Sequence, residues 1–184
     1  YPRRSDFFRK ELIQFLLLCR NNHIDPLSVR GSYAGAFGQA QFMPSSFNAY
    51  GVDFDGDQTV DLINSLPDIF ASIAHYLQKF GWTLNAPVFI ELGRTLQSAR
   101  LRQLAQTGLK ATIDWRELMQ EQMIQLPRPS GDQKLSLISL ERSPFEGGGY
   151  RYVAVYPNFI TITKYNNSTK YGMAVSEMAE AFAN

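Results

Sequence analysis

With 184 residues the chain has room for one domain, or one domain carrying a small inserted lobe. Apolar residues make up 45% and charged residues 19%, so it can bury a core and is not disordered; 18 basic against 17 acidic side chains, with no basic run of five or more, argue against a nucleic-acid binder held by phosphate contacts. The one cysteine, Cys19, excludes an internal disulfide framework and a multi-thiolate zinc site, and no apolar run is long enough to span a membrane.

Residues 5–20 (SDFFRKELIQFLLLCR) predict a helix. Ser5 and Asp6 are its candidate caps, and Phe8, Leu12, Phe15, Leu16 and Cys19 repeat at helical spacing. Leu17 and Leu18 widen the apolar face, so burial of this helix is expected, with Cys19 as a small core residue. Asn21-Asn22-His23 ends it, and Asp25-Pro26 reads as a turn. Residues 68–80 predict a second helix, with a start signal at Ser65 and a stop at Gly81. Short polar helices are expected over 95–107 and 114–124. Residues 134–140 and 151–164 alternate or run β-branched and aromatic, as strands do, with Pro157-Asn158 expected to break the second into a hairpin. Helical spacing returns over 170–183. Helices, then a strand-rich insert, then a helix predict an α+β protein with a small β lobe.

Three segments carry chemistry. The first is Gly31-Ser32-Tyr33-Ala34-Gly35-Ala36-Phe37-Gly38-Gln39-Ala40-Gln41-Phe42-Met43-Pro44-Ser45-Ser46. Its glycines permit close backbone approach, while Ser32, Gln39 and Gln41 offer neutral hydrogen bonds and Tyr33, Phe37 and Phe42 offer aromatic faces. Sugars need that mixture; a tight helix–turn–helix packed through its glycines is the plain alternative. The second is Asp53-Phe54-Asp55-Gly56-Asp57-Gln58-Thr59-Val60-Asp61-Leu62-Ile63-Asn64. Asp53, Asp55 and Asp57 at positions 1, 3 and 5, with Thr59 at position 7, match an oxygen cage for calcium or another hard cation. Position 6 is Gln58 where glycine is expected, and position 12 is Asn64 where glutamate is expected, so Asp61 or Asp68 is the candidate for a further oxygen. A solvated acidic turn is the plain alternative. The third, Thr163–Tyr171, joins the last predicted strand to the last helix and offers Tyr165, Asn166 and Tyr171. His23 and His75 stand in no ligand spacing.

The ordered series YPRR, FFRKEL, FLLLCR, GSYAGAFGQAQFMPSSF, DFDGDQTVDL and ITKYNNSTKYGMAV resembles the membrane-bound lytic transglycosylase B family, closely over 1–82 and 151–176 and loosely over 83–150. The resemblance implies a mainly helical lysozyme-like core with a small antiparallel β lobe and an EF-hand-like loop. It divides the chain into a helical core with the metal loop (1–82), the small lobe (83–157) and a return to the core (158–184). It implies cleavage of peptidoglycan between N-acetylmuramic acid and N-acetylglucosamine, with the muramic C6 hydroxyl capturing C1 to leave a 1,6-anhydro product. One glutamate serves first as acid and then as base.

That glutamate lies, in the family, in a G-V-E-[ST]-x-[FWY]-G motif upstream of YPRR. The motif does not occur in these 184 residues, so the expectation is a fragment without its catalytic acid, inactive alone; a non-catalytic peptidoglycan-binding module is the alternative. Glu11 matches the family's second, helical glutamate and not the catalytic one; it is the candidate acid within these residues, and the expectation is that it faces solvent instead. Carried across by motif, Ser32, Gln41, Phe42 and Met43 line the groove, Tyr76, Tyr165, Asn166 and Tyr171 contact sugar, and Arg3 and Arg4 reach peptide or lactyl carboxylates. The implied metal set is Asp53, Asp55, Asp57, Thr59 and Asp68, holding structural calcium. The implied setting is a monomer acting on glycan strands in the periplasm or on the periplasmic face of the outer membrane, with no nucleic acid and no span of its own.

Overall fold

The computed structural model describes residues 4–131 and 134–183, which form two compact units dividing after Lys79. The first unit is helical. Helix α1 (Ser5–Asn21) leads through an irregular stretch to the short α2 (Pro44–Tyr50), then through the acidic loop to α3 (Leu66–Lys79). Pro44 starts α2 at a position where no backbone N–H is needed. Ser65 caps α3 as its position suggests, with its Oγ accepting from the Asp68 N–H at 3.4 Å.

At α1 the structure departs from expectation. Its N-cap is Arg4, and no side chain caps it. Its buried residues are Glu11, Leu18 and Cys19, whereas Leu12, Ile13 and Leu16 are more than half exposed. The reason lies in its partner within this unit: α2 has seven residues and covers only a narrow stripe. Along that stripe Ser45 bonds to Glu11, and the Asn48 Nδ2 donates to the Gln14 carbonyl and side-chain oxygens at 3.1 and 2.7 Å. Phe37 completes the joint, stacked on Phe47 with centroids 5.6 Å apart and edge-on to Phe15 at 5.7 Å.

The second unit is built on a four-stranded antiparallel sheet of order β1-β4-β3-β2, where β1 is Phe89–Gly93, β2 Ile113–Asp114, β3 Lys134–Glu141 and β4 Tyr150–Val155. Strand β1 carries an irregularity between Glu91 and Gly93. Both faces are covered, so β3 is buried along nearly its whole length, Ser136 included. Leu135, Leu137, Ala154 and Tyr156 pack on one face with Leu101 and Ala105 of α4 (Ala99–Thr107) and Leu118 of α5 (Trp115–Gln122). Ile138, Leu140, Val153 and Val155 pack on the other with Phe159 and Met173.

Those last two residues belong to helices. Residues 157–164, expected as the second arm of a hairpin, form α6 (Pro157–Tyr165), followed by α7 (Thr169–Ala183). Pro157 occupies the first turn, where it starts a helix as readily as it breaks a strand. The β-branched threonines are accommodated because Thr161 Oγ1 donates to the Phe80 and Pro157 carbonyls and Thr163 Oγ1 to the Ile160 carbonyl. Phe159 of α6 and Met173 of α7 thus pack against the sheet.

Helices α6 and α7 meet at Gly172, where a Cβ would lie 2.7 Å from the Phe159 ring. Alanine favours a helix by about 1 kcal/mol over glycine, but Phe159 is fully buried and cannot swing aside. Overpacking of about 1–3 kcal/mol should win. Gly172→Ala should therefore lower the urea midpoint, and Phe159→Leu in the same chain should recover part of the loss.

Tyr156, also fully buried, donates its hydroxyl to the Pro127 carbonyl at 2.8 Å, and burial pushes its phenol up to about 12. A pKa raised in the folded state leaves stability intact below the unfolded value of about 10 and erodes it as pH rises towards 12. Melting midpoints between pH 9.5 and 11.5 (roughly the window in which an unfolded tyrosine ionises) should fall less steeply for Tyr156→Phe than for the native chain.

Candidate functional site

The glycine-rich segment folds into a compact double turn in the first unit. Gly31 bridges to Phe37 and Phe37 to Phe42, and the Ser32 N–H donates to the Ala36 carbonyl at 2.7 Å while Ser32 Oγ accepts from the Ala36 N–H at 3.1 Å. Gly38 has φ +69°, and a Cβ there would stand 2.5 Å from the Leu62 carbonyl oxygen. Only glycine allows both the left-handed backbone and that approach. Gln41 also lies in the left-handed region, at φ +49°, with its Nε2 donating to the Gly38 carbonyl at 2.8 Å. Residues 31–43 therefore form turns and isolated bridges and not the expected helical arrangement, packed closely at Gly38 and leaving Gln41 exposed at the surface.

Between this turn and α1 lies an open cavity of about 260 Å³. Phe8, Phe15 and Phe37 supply much of its apolar lining, Ser32 and Gly35 lie on the turn side, and Glu11 contributes the carboxylate. Met43 reaches the same neighbourhood, its Cε 3.8 Å from where a Cβ of Gly35 would stand. Glu11, expected to face solvent, is 9% exposed. Its Oε2 accepts from the Ser45 N–H at 3.0 Å and its Oε1 from the Ser45 hydroxyl at 2.7 Å. The signal was present in the spacing, because Glu11 falls three residues after Phe8 and four before Phe15, on the stripe those rings define.

The other expected sugar contacts fall in different settings. Phe42 and Tyr76 are 3% and 7% exposed and pack against one another, with centroids 5.7 Å apart and Tyr50 alongside. Burial leaves those rings little surface to offer a sugar. Tyr165 and Asn166 end α6, and Tyr171 lies in the first turn of α7, so the second unit holds these three at one corner. Ser168 caps α7 there, its Oγ accepting from the Tyr171 N–H. Tyr171 is half-buried, and burial raises its phenol. Arg4 is exposed, with its guanidinium over the Phe7 and Phe8 rings; Arg3 lies outside the described residues. Cys19 is buried, and burial, aided by Asp25, pushes its thiol up, as befits a core residue and not a nucleophile.

The acidic loop lies in the first unit. Oxygens of Asp53, Asp55 and Asp68 come within 4.8 Å of one another, a spacing that could hold a metal ion. Gln58 adopts φ +74° at the position where glycine was expected, and Gly56 adopts φ +78°, so the chain makes the sharp turn despite the side chain. Asp53 accepts from the Gly56 and Gln58 N–H groups, and Asp55 from the Ser65 hydroxyl. Asp68, 1% exposed, accepts from the Phe54 N–H at 2.8 Å and the Asp61 N–H at 2.9 Å. Three carboxylates converge with one of them buried, and this donor set fits a hard cation. Asp57 instead uses Oδ1 to accept from the Thr59 N–H and hydroxyl. Asp61 plays another part: burial raises its carboxyl, but donors from Asn64 and Ile63 outweigh that and leave it lowered.

Comparison with known proteins bears on both features. The sequence profile of the Transglycosylase SLT domain matches residues 1–180. The membrane-bound lytic murein transglycosylase B of Escherichia coli (strain K12) is 37% identical over 183 residues, and the chain spans 48% of that protein's length. Among solved structures, the soluble lytic transglycosylase SltB1 from Pseudomonas aeruginosa superposes with a TM-score of 0.82 at 39% identity, over 98% of this chain and 58% of that one. The Escherichia coli lytic transglycosylase Slt35, in complex with calcium, superposes with a TM-score of 0.80 at 37% identity, over all of this chain and 55% of that one. With a profile match across nearly its whole length, the chain belongs to the transglycosylase SLT domain family.

Proposed function

We propose that this chain is the glycan-holding part of a peptidoglycan lytic transglycosylase, and that its acidic loop carries calcium as a structural ion. The observation that supports it most is the Gly31–Phe42 turn: a polar, glycine-bounded edge over an apolar cavity, in a chain whose relatives act on murein. Sugars present hydroxyl and acetamido groups on their rims and C–H patches on their faces. Ser32 and Gln41 supply hydrogen bonds to the rims, while Met43 and the rings of α1 supply apolar contact. In the second unit Tyr165, Asn166 and Tyr171 offer further sugar contacts, and Arg4 a cation for the carboxylates of the peptide or lactyl group. Such a chain works in the periplasm or on the periplasmic face of the outer membrane; no helix among the described residues is long and apolar enough to cross a membrane.

The reaction breaks the C1–O4 bond between N-acetylmuramic acid and N-acetylglucosamine. A carboxylic acid gives its proton to the departing O4, and the muramic C6 hydroxyl then closes on C1 and surrenders its proton to the carboxylate so formed. Glu11 is poorly placed for this. Both its oxygens accept from Ser45, so it acts as a strut between α1 and α2. The 184-residue chain should therefore retain insoluble peptidoglycan in a pull-down. Its release of anhydromuropeptides, followed by mass spectrometry, should be at least about 10²-fold below that of a family member with its acid in place. Turnover abolished by Glu11→Gln would make Glu11 the acid.

Calcium at one hundred times its dissociation constant, binding the folded form alone, adds roughly 2.7 kcal/mol. The melting midpoint should rise on adding calcium and fall back with chelator, and Asp55→Asn should lose most of that difference. Equal midpoints with saturating calcium and with chelator would reject the ion.

A further inference from the structure

The acidic loop and the glycine-rich turn are hydrogen-bonded to each other. Gln39 makes the connection twice: its backbone N–H donates to the Leu62 carbonyl at 2.8 Å, and its side-chain Nε2 donates to the Ile63 carbonyl at 2.8 Å. Beside it, Gly38 packs so closely that a Cβ would stand 2.5 Å from the Leu62 oxygen. Leu62 is itself fully buried, which leaves its carbonyl little room to move independently.

From Leu62 the connection runs back to the carboxylates. Asp61 Oδ1 accepts from the Ile63 and Asn64 N–H groups, and the Asp61 N–H donates to Oδ2 of buried Asp68. Asp68 Oδ1 meanwhile accepts from the Phe54 N–H inside the acidic loop. On the other side of Gln39, Gly38 accepts from both the backbone N–H and Nε2 of Gln41. A contiguous set of hydrogen bonds thus leads from the cation-binding carboxylates to Gln41, the exposed polar residue of the turn.

We propose that Gln39 is a positioning residue that couples cation occupancy of the acidic loop to the conformation of the Gly31–Phe42 turn, so that the ion and the glycan tighten one another's binding. The glycan half of this rests on the reading given under Proposed function; the coupling of loop to turn does not. Without an ion the carboxylates of Asp53, Asp55 and Asp68 repel one another, and because Asp68 is held on α3 the strain falls on the loop that bonds to it at Phe54 and Asp61. An ion draws Asp53 and Asp55 onto Asp68, and the tightened loop holds Gln39 through Leu62 and Ile63. Thermodynamic linkage then requires that a glycan held by the ordered turn raise calcium affinity by the same factor.

The test compares the native chain with Gln39→Met, which keeps the side-chain length and removes the donor, and with Gln39→Glu, whose carboxylate cannot donate to Ile63. Amide hydrogen exchange is measured with calcium and with chelator, using Ile138 in the second unit as the internal reference. Calcium should slow exchange at Gln39 and Gln41 in the native chain, and do so markedly less in both variants. By calorimetry, calcium should tighten binding of an alternating N-acetylglucosamine and N-acetylmuramic acid tetrasaccharide by about fivefold or more, and the ratio should fall towards one in the variants. An identical calcium response in native and variant chains would overturn the role of Gln39. No response of the turn amides in the native chain would overturn the coupling itself, and needs no folded variant to be read. If the tetrasaccharide fails to bind under every condition, the glycan reading falls, and exchange at Gln41 still decides the coupling.

Discussion

A buried carboxylate is costly unless donors reach its oxygens, and Asp68, at 1% exposure, receives one from each side of the acidic loop, Phe54 and Asp61. Much of the first unit's geometry follows from that arrangement. Because Asp68 sits in the first turn of α3, capped by Ser65, it is fixed to a rigid element, and the loop is draped around it. The loop in turn is moored to the end of α1, where Asn22 accepts from the Val60 N–H at 2.8 Å while donating to the Leu18 carbonyl. A shift of Asp68 would therefore be felt at α1, at the acidic loop and, through Leu62, at the glycine-rich turn.

Glu11 does for the α1–α2 joint what Asp68 does for the loop. Each carboxylate is held by N–H or hydroxyl donors and not by a cationic partner, which keeps the small unit free of buried ion pairs among the described residues. Ion pairs of the second unit are partly exposed, such as the Arg151 guanidinium between Glu91 and Glu177. Exposed pairs of that kind contribute little to stability. The sheet owes its stability to the apolar layers on its two faces.

How far the sequence can be read depends on whether the information is local. Ser65 and Gly81 marked the ends of α3 correctly, and the acidic spacing singled out Asp53 and Asp55, two of the three carboxylates that converge, because these signals act within a few residues. Asp68 was within reach as a candidate because it lies just past the loop. Gln58 in a left-handed conformation was not evident, since its strain is offset by a hydrogen bond from its N–H to Asp53 that no propensity records. The run Phe159–Lys164 read as a strand by composition, and tertiary packing overrode it: Phe159 and Ile162 are wanted on one side of a helix, and the threonine hydroxyls found carbonyls to bond. The burial of Glu11 and the tie from Gln39 to Leu62 and Ile63 both depend on partners two or three dozen residues away. Spacing can suggest such partners but cannot name them.

Strand order sets the schedule on which each unit can be completed. In the first unit the long links reach 34 residues from Glu11 to Ser45 and 38 from Asn22 to Val60, so each closes a short loop. In the second, β1 must wait for β4: Glu91 and Arg151, whose side chains pair diagonally across those two strands, are 60 residues apart. Closing the longer loop costs more chain entropy before any contact rewards it, and non-local pairing slows folding. As the chain leaves the ribosome the first unit has its partners early, whereas β1 remains an unpaired strand until β4 has emerged, with Phe89 and Leu92 still waiting for their places in the core. That interval is when the chain is most open to pairing with the wrong neighbour, and β1 is the segment at which it would begin.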